Sequence, residues 1–214
     1  MRVVFGAILS LAVLGGFALM GHDTARPGPE GYLILALSWT PSWCAGEGDA
    51  RGDTRCATGS GAGWLVHGLW PQHEGGGWPE YCDTPYPAAS RTQTAAMTDI
   101  MGSSGLAWHQ WRKHGTCSGL DAETYFERTR AAFAALALPD APGQDRPTRP
   151  EQLLARVQQA NPGLQDDMAI VTCRAGLVQE LRLCLTHDLR YRACDGDVLA
   201  RMCRSESVVK PALR

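Results

Sequence analysis

With 214 residues, 44% of them hydrophobic and 20% charged, the chain is long enough for one well-buried core and too apolar to stay disordered. A formal net charge of -2 at pH 7 argues against a protein that coats long nucleic acid through a broad basic face. It leaves room for a local grip on an anionic substrate.

Arg2 followed by the uncharged apolar run Val3–Met20 has the layout of a secretory signal. Residues 1–21 are therefore expected to be a targeting segment, with a single domain over 22–214. No clean small-x-small pair marks a cleavage point, and the run is just long enough for an uncleaved anchor to be the alternative. A polar leader follows up to Gly31. Tyr32–Trp39 (YLILALSW) is an apolar run of strand length, ended by Pro41. Cys44–Gly63, rich in Gly, Asp and Arg, reads as a loop. Trp64–Trp70 (WLVHGLW) is a second buried strand stopped by Pro71, and Gln72–Ala88 is a Gly/Pro loop around Cys82.

Helices come next. Gly105–His114 is predicted helical with Gly115 at its stop. Asp121–Leu136 is an amphipathic helix with Ser118 or Asp121 at its N-cap. Pro150–Ala160 is a third, opened by a capping box of Thr148 and Glu151 and ended by Asn161-Pro162-Gly163. Met168–Cys173 and Leu177–Leu185 have strand character, the second placing Leu177, Gln179, Leu181, Leu183 and Leu185 on one face. Strands and helices mix without regular alternation, so the expected class is α+β.

Eight cysteines follow the signal: Cys44, Cys56, Cys82, Cys117, Cys173, Cys184, Cys194 and Cys203. An even set in a secreted chain reads as four disulfides, and the absence of any CxxC pair makes a zinc site a poor alternative. Spacing alone leaves all 105 pairings open. The chain has two lysines, Lys113 and Lys210, and its one asparagine, Asn161, precedes a proline, so no glycosylation acceptor exists. This Arg- and Ala-rich composition points to a GC-rich bacterial source, with the periplasm or the medium as destination.

The chemistry-bearing residues crowd into two stretches, VHGLWP (66–71) and WHQWRKHGTC (108–117). On a helix, Gln110, Lys113 and His114 stand at i, i+3 and i+4 on one face, and His109 lies on its flank. Trp108 and Trp111 cover a neighbouring face suited to burial. Lysine and histidines with no carboxylate between them call for an anion, and phosphate is the obvious one. A lone His67 in a core strand is most often structural. That changes if the histidine helix packs against it. Two imidazoles, one neutral and one protonated, are what proton transfer on both sides of a phosphorus requires. A metal is disfavoured: His109 and His114 are i, i+5, and no HExxH is present. An even cysteine set in an oxidising compartment leaves no free thiol nucleophile.

Together, VHGLWP and WHQWRKHGTC resemble the two active-site segments of the ribonuclease T(2) family, the acid endoribonucleases. LALSWTPSWC is similar to that family's first strand, GGWPEYC to the segment whose cysteine bridges to the one in HGTC, and QELRLCLTHDLRYRAC to its C-terminal strand pair. The resemblance covers Tyr32 to Cys203. It implies a mostly antiparallel sheet packed with helices, no metal or other cofactor, and a monomer acting on single-stranded RNA. No stable membrane association is expected once the signal is removed. It implies His114 as the base that takes the 2′-hydroxyl proton, His67 as the acid for the departing 5′-oxygen, and Lys113 as the charge stabiliser. His109 matches a phosphate contact and Trp70 a support for the base site. The product is a 2′,3′-cyclic phosphate, opened later to a 3′-phosphate, and DNA lacks the nucleophile. The implied bridges are Cys44–Cys56, Cys82–Cys117, Cys173–Cys203 and Cys184–Cys194.

Two positions depart from the family pattern. Gln110 stands where most members have Glu, so one titrating group is missing while hydrogen bonding is kept. Gln72 stands where many eukaryotic members have Asp at a base-reading position, so broad base specificity is expected. The competing readings are a catalytically weakened RNA- or partner-binding protein on the same fold and, less well matched to the Lys/His face, a carbohydrate binder.

Overall fold

The computed structural model describes residues 31–139 and 145–214. The expected targeting segment, 1–21, lies outside the described residues. In chain order the elements are β1 (Tyr32–Trp39), α1 (Thr40–Trp43), β2 (Trp64–Gln72), α2 (Arg91–Ala95), α3 (Thr98–Met101), α4 (Ser104–Lys113), α5 (Ala122–Ala134), β3 (Pro147–Thr148), α6 (Pro150–Ala160), β4 (Ala169–Arg174), β5 (Leu177–Leu185), α7 (Gly196–Leu199) and β6 (Val208–Val209). The strands form one sheet in the order β2-β1-β5-β6-β3, with β4 also paired to β5. Every pairing is antiparallel except the short β5–β6 contact. The α+β class expected from the pattern is the one adopted.

β1 is apolar at nearly every position because both its faces are covered. Leu33, Leu35 and Leu37 join Val66, Leu69, Leu181 and Leu183 beneath the helices, where Met101, Trp111, Tyr125 and Phe126 complete the main core. Tyr32, Ile34 and Ala36 point the other way into a smaller cluster with Ile170, Cys184 and Val198, against which Trp70 packs. The candidate site residues gather at the edge strand β2, where Trp70 packs against this second cluster.

Two irregularities shape that edge. Ala36 pairs with Gly68 and Leu37 with Val66, so His67 is an extra, unpaired residue of β2. On β5, Thr172 opposes Glu180 and Cys173 opposes Val178, so Gln179 is extra in the same way. Such bulges turn a side chain out of the ordinary alternation. The second one corrects the expected apolar face of this strand. Gln179 is exposed, while Val178 and Leu181 are both in the main core.

Other expectations are corrected locally. Pro41 opens a helical turn rather than simply ending β1, since its fixed φ suits the first turn of a helix. β2 continues through Pro71 to Gln72, which an edge strand tolerates. The capping box expected at Thr148 and Glu151 is absent: Arg149 is the N-cap of α6 with no side-chain cap, and the Thr148 hydroxyl bonds Gln152 instead. A true capping box joins Ser90 and Gln93 at α2. Trp108 does not hold α4 in the core. It is 43% exposed with Arg112 over its ring, because the buried stripe of α4 is Ala107, Gln110, Trp111 and, one residue beyond the helix, His114. The four disulfides pair Cys44–Cys56, Cys82–Cys117, Cys173–Cys203 and Cys184–Cys194, as the resemblance implied.

Candidate active site

The site is built where α4 crosses the bulged part of β2. Gln110, 2% exposed, points from α4 onto the strand, and its Oε1 accepts from Trp70 Nε1 at 2.7 Å. Gly68 lies under that bond. A Cβ there would come within 2.2 Å of Gln110 Oε1 and 2.3 Å of Trp70 Nε1, so the glycine of HGLW is demanded by close approach. The held indole separates two imidazoles. Its ring centroid is 5.1 Å from that of His67, edge-on, and 5.4 Å from that of His114.

These two imidazoles are in opposite electrostatic settings. His114 ends α4 with its amide bonded to Gln110 O at 2.9 Å. It is 6% exposed, and its Nδ1 is buried with no hydrogen-bond partner among the described residues. Burial first, then the charges of Lys113 and His67, push its pKa down to about 3 against the opposing pull of Glu80. His114 is therefore a neutral base at every ordinary pH. Gly115 follows because a Cβ there would strike the Trp111 ring at 2.3 Å.

His67 instead meets a carboxylate. Its Nδ1 lies 2.6 Å from Oε1 of Glu180, a β5 residue only 4% exposed. The other oxygen of Glu180 accepts from Arg182 Nε at 2.8 Å and Nη2 at 2.6 Å. Burial pushes Glu180 upward most strongly. The hydrogen bond and charge of His67, followed by Arg182, outweigh it and hold the carboxyl at about 2. An ionised carboxylate has no proton to give, so His67 Nδ1 is the donor in this contact. The Arg182 guanidinium also lies 5.2 Å from the centroid of the Trp70 ring.

Lys113 has a carboxylate of its own. Its Nζ is 3.2 Å from Oε2 of Glu80, both groups being partly exposed. Glu80 is placed by its neighbours: Tyr81 N donates to Lys113 O at 2.8 Å, and Cys82 is bridged to Cys117. The hydrogen bond from Lys113 holds the Glu80 carboxyl below its ordinary value. His109, exposed on the flank of α4, has its pKa lowered by burial and then by Lys113, His67 and Arg112. The second lysine, Lys210, is elsewhere: its ammonium sits 3.7 Å from the centroid of Trp39, and burial holds it down to about 8.

A cavity of about 220 Å³ opens over these groups, lined by His67, Trp70, His109, Lys113 and His114 together with Gln72, Trp78 and Arg201. Trp78 is 41% exposed, with Arg201 5.1 Å from its ring centroid. Its loop is clamped by α7 and the residue before it, Asp195 Oδ2 accepting from Gly75 N at 2.6 Å and Asp197 Oδ2 from Gly77 N at 2.9 Å. Gln72 turns its amide nitrogen onto its own strand, donating to Pro71 O at 2.8 Å. Aromatic faces, three imidazoles and a lysine around one opening suit a base stacked beside a phosphate.

Residues 30–194 match the model of the Ribonuclease T2 family. The chain belongs to the ribonuclease T2 family. It is 31% identical over 149 residues to a probable ribonuclease of Haemophilus influenzae, covering 64% of this chain and 53% of that one. It is 34% identical over 123 residues to a ribonuclease of Aeromonas hydrophila, covering 56% and 53%. The chain thus matches about half the length of these curated relatives. In fold it is similar to trichomaglin, described as an S-like ribonuclease, with a TM-score of 0.68, 22% identity and 86% and 99% of the two chains covered.

In this ribonuclease T2 member, His67, Trp70, Gln72, His109, Gln110, Lys113 and His114, all singled out in the sequence, line one cavity. Sequence reasoning missed Glu180, Arg182, Glu80, Trp78 and Arg201. One signal was present for the first two. Glu180 and Arg182 stand at i, i+2 in a strand that is apolar apart from them and Gln179, and charges on one face of a largely buried strand call for partners.

Proposed function

We propose that the chain is a secreted or periplasmic, metal-independent endoribonuclease that cleaves single-stranded RNA by internal transphosphorylation. The reading rests on one observation above all. A buried neutral imidazole and a carboxylate-paired imidazole flank the same indole and open on the same cavity. His114 takes the proton of the ribose 2′-hydroxyl. The freed oxygen attacks phosphorus, and the bond to the 5′-oxygen breaks as that oxygen receives a proton from His67. Lys113 leaves Glu80 for the phosphoryl oxygens as negative charge builds there, and His109 contacts the same phosphate. Water then opens the cyclic phosphate with the two imidazoles in exchanged roles, giving a 3′-phosphate.

The base 5′ of the cut rests between Trp70 and Trp78. The departing nucleoside leaves across His67 toward a second cavity of about 470 Å³, lined by Ser38, Trp43, Glu47, Arg174 and Gln179. Four disulfides suit an oxidising compartment, and no helix among the described residues is long and apolar enough to cross a membrane. Incubation with RNA and EDTA at pH 5–7 is expected to yield cyclic-phosphate ends. Folded His67→Ala and His114→Ala forms are expected to lose that activity. RNA left intact by the unaltered protein would favour the binding-protein reading, and DNA is expected to survive.

A further inference from the structure

We infer that Glu180 is a positioning residue for His67, holding the imidazole so that its other nitrogen delivers the proton to the departing oxygen. The inference rests on the ribonuclease reading above and extends it to a residue 113 positions away in the chain. Three observations carry it.

The first is that Glu180 is not where a strand places a carboxylate without cause. It is 4% exposed, on a strand whose neighbours Val178, Leu181 and Leu183 are core residues. A buried carboxylate persists only where its lone pairs are met. Here they are met by His67 on Oε1 and by Arg182 on Oε2, so the carboxylate is turned by the guanidinium to face the imidazole.

The second is that both strands are bent at the contact. His67 is the extra residue of the β2 bulge, and Gln179, the extra residue of the β5 bulge, directly precedes Glu180. A regular ladder would alternate both strands through this point; the two insertions re-aim the side chains that meet at 2.6 Å.

The third is the consequence for the proton. With Nδ1 donating to an ionised carboxylate, the transferable proton of His67 is the one on Nε2, and that nitrogen is aimed by the fixed orientation of the ring. His114, with no such partner for its Nδ1 among the described residues, has the opposite character. Glu180 thus separates the acid from the base. Glu180 also lines the second cavity, and it reaches the reacting atoms only through His67. When P–O5′ breaks, the electron pair stays on oxygen, and the proton from Nε2 neutralises it while Glu180 keeps its charge.

The test uses two substrates that differ in what leaves. A dinucleoside phosphate such as uridylyl-(3′→5′)-adenosine expels an alkoxide that needs a proton. Uridine 3′-(4-nitrophenyl phosphate) expels a phenolate that does not. Glu180→Gln is expected to lower kcat on the dinucleotide about 10²-fold, with KM held within about threefold, the scale of a lost general acid. On the nitrophenyl ester kcat is expected to change less than about threefold, since no proton transfer to the leaving group is being lost. Glu180→Asp, measured in parallel with near-ultraviolet circular dichroism, covers the case in which the glutamine form fails to fold. Its shorter arm also loosens the contact and is expected to spare the ester. Equal losses on both substrates mean that Glu180 only supports the fold, and full dinucleotide activity means that it does nothing; either result overturns the inference. An unaltered protein that cleaves neither substrate overturns the ribonuclease reading itself, and the role of Glu180 with it.

Discussion

Trp70 Nε1 donates to Gln110 Oε1 across the bare Cα of Gly68, and this bond sets the indole between the two imidazoles. Gln110 is thus used here as an acceptor toward tryptophan, a task open to an amide oxygen and a carboxylate alike. Gly68→Ala would drive a methyl into both partners. It is expected to destabilise the protein by about 1–3 kcal/mol, the ordinary cost of overpacking. Activity is expected to fall further than stability, because Trp70 shifts. A urea midpoint and a kcat both equal to the unaltered protein's would refute this.

Replacing Gln110 by Glu tests the departure from the family pattern. Trp70 keeps its acceptor, so the fold is expected to hold. A negative charge one helical turn from His114 opposes the effect of burial, Lys113, His67 and His109 on that imidazole and adds to the pull of Glu80. Its pKa rises from about 3 toward the ordinary 6.5. Since His114 must be unprotonated to act as the base, the acidic limb of the kcat profile is expected to move to higher pH. Superimposable pH–rate profiles for the two forms would sink the idea.

Acid is expected to unfold the protein in two overlapping stages. His114 falls from 6.5 to about 3 on folding, so the unfolded chain takes up a proton that the folded one refuses. Its contribution to stability is complete above about pH 6.5 and is lost as pH drops toward 3. Glu180 falls from 4.5 to about 2, so its contribution is complete above about pH 4.5 and is lost toward 2. Urea midpoints are expected to decline from pH 7 to pH 5, where His114→Gln flattens the curve, and more steeply below pH 4.5, where Glu180 joins. A wild-type midpoint that stays constant from pH 7 to pH 4 contradicts the His114 assignment, and one that does not steepen below pH 4.5 contradicts that of Glu180.

In the proposed reaction Glu80 competes with the substrate for Lys113. Removing its charge by Glu80→Gln leaves the Nζ without its ion-pair partner, and KM for RNA is expected to fall a few-fold, the scale of a partly exposed ion pair. The gain is expected to shrink at high salt, where the pair is already screened. Steady-state kinetics at two ionic strengths check this; a KM that rises on substitution means that Glu80 assists the site instead.

Several elements were legible because their signals are local. The apolar runs of β1 and β2, the helix at α4 and the Asp121 cap of α5, whose side chain accepts from Thr124 N at 2.8 Å, depend on residues within a turn or two of one another. Helices α2 and α3 were not legible in the polar stretch after the Gly/Pro loop; their buried residues, Thr94, Ile100 and Met101, make no long periodic pattern. Trp108 was misassigned because hydrophobicity alone does not say which of two adjacent helix faces meets the sheet.

The sequence by itself marked the candidate groups of the proposed reaction, since His67, His109, Lys113 and His114 lie in two short motifs, and it determined that cysteines would staple the chain. It did not determine the charge each group carries. That was decided by the tertiary structure. His114 is neutral because α4 buries it, Lys113 is met by Glu80 from a loop, and His67 faces a carboxylate because two bulged strands bring Glu180 to it across 113 residues. The physical reason is that an imidazole's protonation follows its desolvation and its neighbours' charges, and in a folded chain those neighbours come from distant segments.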